Sequence, residues 1–277
     1  MKQYFRMYKK HPKAVALRIL VTTAAALTVL VLFSLVFYIL IKGIPNLKPS
    51  LFEWKYTSKN ASMMPAIINT ITMVLMTLLI AVPFGIGSAI YLTEYAKRGN
   101  KVVPVIRMTT ETLSGIPSIV YGLFGYMAFV RWLDWGYSLM AGIITLAIMI
   151  LPLIMRTTEE ALLAVPDSYR EGSYGLGAGR LRTIFRVVLP SAMPGILSGV
   201  ILGVGRIVGE TAALIYTAGS VTGVPDSLMS SGRTLAVHMY ALLSEGLYTD
   251  EAYATAVVLV FIINRLSAYV ANKIQNR

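Results

Sequence analysis

Twenty-three consecutive residues, Ile19 to Ile41, carry no charge and lie between Arg18 and Lys42. As a helix at about 1.5 Å per residue they reach about 34 Å, enough to cross a hydrocarbon core of about 30 Å. A water-soluble fold has no place to bury such a segment. The rest of the chain makes the same demand: 56% of the 277 residues are hydrophobic and 14% are charged, against about 25% charged in soluble domains. The run is longer than the roughly 7–15 apolar residues of a secretory signal. It ends in Lys42-Gly43-Ile44-Pro45 with no small-residue cleavage site, so it is expected to stay as an anchor. Further spans are expected at 64–91, 116–130, 138–155, 194–216 and 253–270. The fold class is therefore all-α and polytopic, with six transmembrane helices.

Charge placement sets the orientation. The 25 Lys and Arg against 13 Asp and Glu leave a net charge of +12, which on a soluble chain would suggest nucleic acid. With a cytoplasmic N-terminus, six basic residues precede the first span and four fall in the second loop. Five more fall in the 156–193 loop and two in the tail, against six on the outside. By the positive-inside rule both termini are cytoplasmic, and the excess needs no nucleic-acid partner. Trp54, Trp132 and Trp135 all fall on the outer side, as an interfacial belt would. The outer loop 217–252 is broken by Pro225, Gly232 and Gly246, and 234–243 reads as a short helix bearing His238 as a surface residue.

Several chemistries are excluded by residue type. Cys 0 rules out disulfides, thiolate metal sites and a cysteine nucleophile. No G-x-x-x-x-G-K-[ST] loop occurs, so the chain is not expected to bind ATP itself. H-E-x-x-H and G-x-S-x-G are also missing, and two histidines cannot build a histidine-rich metal site. No enzymatic constellation is visible.

The 156–193 loop is long for a plain connection, and its pattern is helical. Ser168-x-x-Glu171 has the form of a capping box, and Pro166 separates it from the preceding span. Gly177 is placed to reverse the chain in a left-handed conformation. Leu181, Ile184, Phe185 and Val188 make a second apolar stripe, and Pro190 and Pro194 are expected to stop that helix. Physics alone leaves an amphipathic re-entry hairpin as an equal reading. The spacing of Glu171-Gly172-Ser173, Gly177, and then Val187, Leu189 and Pro190 after nine further residues resembles the E-A-A signature of ABC importer permeases. That resemblance implies the type I permease fold, with this hairpin as the coupling element that seats in a partner ATPase.

In the fifth span, Gly195, Gly199 and Gly203 recur every fourth residue. On one continuous helix Arg206 and Glu210 share their arc, within about 80°. Small residues at this spacing let helices approach closely in a bilayer, so both charges point towards protein or a cavity. Arg206 lies twelve residues beyond Pro194, about 18 Å deep. An intramembrane arginine costs at least about 2.5–3.5 kcal/mol to insert and marks a functional candidate. Its planar fork suits phosphate or sulfate oxygens, Glu210 could pair with it when the anion is absent, and Thr211 adds a hydroxyl. The bland alternative is a pair that only neutralises itself and pins packing.

Residues 115–126, 151–178 and 187–219, with 235–246 and 252–259, resemble the PstA-type phosphate importer permeases, and the likeness runs over 61–272. It implies a PstC-type permease partner, two PstB-type ATPase subunits that bind ATP and Mg, and a PstS-type phosphate-binding protein. It also implies the cytoplasmic membrane of a bacterium or archaeon, and no cofactor on this chain. The rivals are a permease for sulfate, molybdate or tungstate, an ATP-independent carrier, and a non-transporting scaffold.

Overall fold

The structure, a computed structural model, describes residues 12–97 and 99–275 and contains only helices and loops among them. Most of the basic N-terminal stretch expected to be cytoplasmic, including Lys2, Arg6, Lys9 and Lys10, lies outside the described residues. Helix α1 spans Pro12–Gly43. Helix α2 spans Met64–Ile90 and runs on through a π-helical turn, Tyr91–Tyr95. Helices α3 (Val102–Ser114) and α4 (Ser118–Gly125, prolonged as a π turn to Trp132) meet at a 99° bend. Then follow α5 (Leu139–Leu163), α6 (Asp167–Gly175), α7 (Arg180–Thr183) and α8 (Leu189–Val208). Helices α9 (Ala212–Thr217), α10 (Leu235–Glu245) and α11 (Thr249–Gln275) complete the chain. Among the described residues, four helical stretches are long and apolar enough to cross a membrane, and the bent α3–α4 pair makes a fifth if counted as one span.

Burial follows from where the apolar side chains have partners. Helix α5 is the centre: two-thirds of its apolar window is buried, against none of α1's. Leu146, Ile150 and Ile154 on α5 close a core with Met73 of α2, Ile207 of α8 and Leu214 of α9. The glycine ridge of α8 lies against α5. A Cβ on Gly195 would come within 2.7 Å of Ala161 Cβ, and one on Gly199 would overlap the Thr157 hydroxyl. The two backbones pack where side chains have been removed, as small residues allow.

Two local expectations are corrected. Pro190 and Pro194 do not stop the helix that follows the turn at Gly177. A π turn over Ile184–Val188 joins α7 to α8, and Pro190 falls in the first turn of α8, where a missing N–H costs little. The helical path is unbroken from Arg180 to Val208. His238 is not a surface residue: it is fully buried.

Candidate functional site

The charged level of the bundle is built on a break. Helix α8 closes its last turn with the Gly209 N–H donating to the Gly205 carbonyl at 3.1 Å, and it ends there. Glu210 lies beyond the helix, and Thr211 opens α9. The expected placement of Arg206 and Glu210 on one helical arc is therefore corrected. Glu210, buried, instead accepts the Ala213 N–H at 3.0 Å through Oε1, satisfying one orphan donor at the start of α9. Glycines at 205 and 209 weaken the helix locally, and the carboxylate stabilises its interruption. No ion pair joins Arg206 to Glu210 among the described residues. Thr211 is half-buried, its hydroxyl 3.5 Å from the Gly209 carbonyl oxygen.

A second break lies alongside. Helix α4 starts after Gly115-Ile116-Pro117 with no side-chain cap on its first turn. It runs parallel to α9: a Cβ on Gly122 would meet the Ala213 backbone at 2.7 Å, and one on Gly125 would meet Thr217 Cγ2 at 2.7 Å. Tyr121 donates its hydroxyl to the Leu113 carbonyl at 2.8 Å across the bend, and its phenol lies within electrostatic reach of the half-buried Arg206 guanidinium. The structure thus brings an unpaired arginine, the uncapped start of α4 and a tyrosine to one level. Both the cation and the helix start favour a negative charge.

At the other end of α8 is the turn between α6 and α7. Gly177 adopts φ +79° with open space around it. The Ala178 N–H donates to Ser173 O at 3.1 Å and the Gly177 N–H to Tyr174 O at 2.9 Å, the pairing that closes a helix through a left-handed residue. The capping box does not form. Helix α6 starts at Asp167, which places Ser168 inside the first turn, where its hydroxyl caps nothing. Glu171 and Gly172 are exposed, and the Ser173 hydroxyl hydrogen-bonds that of Thr183 at 2.9 Å, tying the two arms. The apolar stripe divides: Ile184 and Val188 are buried while Leu181 and Phe185 are exposed. With Leu176, at 92% exposure, they make a bare apolar tip. Val187 and Leu189 are half-buried and Pro190 is exposed where this element joins α8.

The sequence reading missed what anchors this hairpin. Arg170 reaches the buried carboxylate of Glu94, in the π turn ending α2, with Nη2 at 2.7 Å and Nε at 3.1 Å from the same Oε1. The same guanidinium donates to the Leu162 and Val165 carbonyls at the end of α5, at 2.9 and 2.8 Å, and to Asp167 at 3.2 Å. Arg180 stacks over the Tyr95 ring at 4.9 Å, so both arms grip the same π turn. A lone acid at the end of an apolar helix was the available signal.

A family model described as "Binding-protein-dependent transport system inner membrane component" matches residues 81–277. The probable ABC transporter permease protein YqgI of Bacillus subtilis (strain 168) is 35% identical over 261 residues, 87% of each chain. The phosphate transport system permease protein PstA 2 of Mycobacterium bovis is 43% identical over 154 residues, 56% of this chain and half of that one. Among solved structures, a bacterial ABC transporter that imports the polysaccharide alginate superposes with TM-score 0.66 at 13% identity, covering 98% of this chain and 99% of that one. An inward-facing MetNI methionine ABC transporter gives TM-score 0.57 at 18% identity, covering 86% and 97%.

Proposed function

The chain belongs to the family of binding-protein-dependent transport system inner membrane components and is an ABC importer permease subunit of the PstA type; from that premise we propose that it passes inorganic phosphate into the cell by alternating access. The observation that carries this reading is Arg206, half-buried at the level of two helix breaks and without an ion-pair partner among the described residues, while Glu210 accepts from Ala213. A fork of N–H donors in a low-dielectric wall is the group that would take phosphate oxygens from the outside and release them inward. Thr211, just past the end of α8, would add a hydroxyl to the same pathway. Relatives named as phosphate permeases support the choice of anion.

The topology proposed with it has six spans, formed by the four long helices, the bent pair and α11, with both termini in the cytoplasm of a bacterium or archaeon. The turn at Gly177, with its bare tip of Leu176, Leu181 and Phe185, seats in a PstB-type ATPase. Two such subunits bind ATP and Mg; this chain supplies the pathway. A PstC-type permease completes the pathway, and a PstS-type protein delivers phosphate from outside.

Phosphate uptake by the assembled transporter tests the site. Arg206→Ala, at matched membrane abundance, should lower uptake by about tenfold or more, the loss expected for a charge-assisted hydrogen bond worth about 1.5–3 kcal/mol. Arg206→Lys should fall between. Uptake unchanged in Arg206→Ala would refute the assignment.

A further inference from the structure

Glu210 has one carboxylate oxygen more than its cap requires. Oε1 accepts the Ala213 N–H at 3.0 Å. Oε2 has no partner among the described residues, yet it is not sealed off as the unpaired hydroxyls of Thr77 and Thr158 are. A serine or an asparagine would satisfy the Ala213 N–H equally well. Either would also avoid bringing a charge among membrane helices, where ionisable side chains are costly and rare. The cap alone therefore does not account for a glutamate.

The turn beside it supplies room and a group of opposite character. The Gly209 N–H donates to the Gly205 carbonyl at 3.1 Å and the Glu210 N–H to the Ile207 carbonyl at 3.2 Å. These bonds keep the carboxylate one turn from Arg206, although no ion pair joins the two. A Cβ on Gly205 would meet nothing within 4 Å, and Gly209 is exposed, so the surface next to Arg206 is open. No nitrogen of Arg206 is enclosed without a partner. The Tyr121 hydroxyl is already given to Leu113. What remains free is a guanidinium, which only donates, and a carboxylate oxygen, which only accepts. A single small ligand that meets both must accept at one oxygen and donate from another.

A tetrahedral oxyanion that keeps a proton at neutral pH does this. Phosphate and arsenate carry at least one O–H there, whereas sulfate and selenate carry none. We propose that Glu210 is the specificity-determining residue of the pathway: its Oε2 accepts the O–H of a protonated oxyanion held by Arg206 and repels a fully ionised one. A site built to accept a hydrogen bond penalises the analogue that cannot donate it, because the acceptor is left facing another acceptor. The inference rests on Arg206 holding the anion, and adds to that reading which anions pass.

The test uses the assembled membrane complex in detergent without a PstS-type protein, whose own preference would mask that of the pathway. Radiolabelled inorganic phosphate is bound at fixed neutral pH and ionic strength, then displaced with unlabelled arsenate, selenate or sulfate. Arsenate and selenate are close in size and differ in the proton. In the wild type, selenate and sulfate should need a concentration at least about tenfold higher than arsenate. Glu210→Gln keeps an oxygen for the Ala213 N–H, loses the charge and gains N–H donors, so the gap should close to within about threefold. An unchanged gap overturns the proposal. So does an equal change for all anions in either direction, which would mark Glu210 as a cap or a distant counter-charge. Arg206→Ala separates the two readings. Phosphate binding that survives it overturns the pathway assignment, whereas binding lost there with an unchanged gap in Glu210→Gln overturns this inference alone. Absence of saturable phosphate binding in the wild type overturns both. If Glu210→Gln does not assemble, the wild type decides, and selenate as effective as arsenate refutes the selection.

Discussion

Replacing Arg170 by methionine should detach the α6–α7 hairpin from α2 and α5 while leaving the helices intact. The arginine is 15% exposed and its partner Glu94 only 6%, so the variant leaves a buried carboxylate without a counter-charge, a loss of about 3–5 kcal/mol. Two carbonyls at the end of α5, of Leu162 and Val165, lose a donor as well, at about 1 kcal/mol each where water does not replace it. Adding Glu94→Gln removes the stranded charge. The double variant should therefore be more stable than the sum of the two single losses predicts, by at least about 2 kcal/mol of coupling. Arg170→Lys should sit between, since one ammonium cannot reach Glu94 and both carbonyls together. Denaturation of the solubilised chain gives the stabilities, and ATP hydrolysis against phosphate uptake in the assembled transporter gives the consequence: hydrolysis retained, uptake lost. Additive losses, or a methionine variant with normal stability and uptake, would show that the Glu94–Arg170 contact carries no strain between the hairpin and α2.

Two other outcomes are expected. Gly177→Val should weaken association with the ATPase subunits by about tenfold, because φ +79° strains a β-branched residue by of order 1–2 kcal/mol even though the space around it is open; co-purification of the subunits at wild-type ratio would refute this. His238 has a folded-state pKa depressed to about 3, so the unfolded chain takes up a proton near pH 6.5 and the folded chain does not. Its contribution is fully present above pH 6.5 and is lost as pH falls towards 3, at about 1.4 kcal/mol per pH unit. His238→Asn should flatten that part of the stability profile, and an unchanged slope between pH 6 and 4 would contradict the burial.

The parts of this structure that local chemistry dictates were legible in the sequence. Gly177 had to be a left-handed reversal because two helical patterns meet there, and glycines every fourth residue from 195 to 203 had to face a neighbouring backbone. The break after Val208 was not legible, because apolar periodicity continues through Gly209 and Glu210 as though the helix did. Only the carboxylate's bond to Ala213 shows why it stops. The Glu94–Arg170 pair joins residues 76 positions apart, and nothing in either local pattern selects the other. His238 was misplaced for a related reason. A loop rich in glycine, serine and proline reads as surface, and its burial depends on carbonyls that turn inward to serve the starts of two distant helices.

The helical path from Arg180 to Val208 is 29 residues long and spans about 43 Å, so one continuous element joins the hairpin to Arg206. Its glycine ridge seats it against α5, where Ala161 and Thr157 leave no room for α8 to spin on its own. A displacement of the hairpin would therefore carry α5 along with α8. The 219–234 segment, whose Ser230 and Leu228 carbonyls accept from the start of α5, would be drawn with them. The arginine and the segment above it are thus coupled through α5, although the α8 helix itself ends at Gly209.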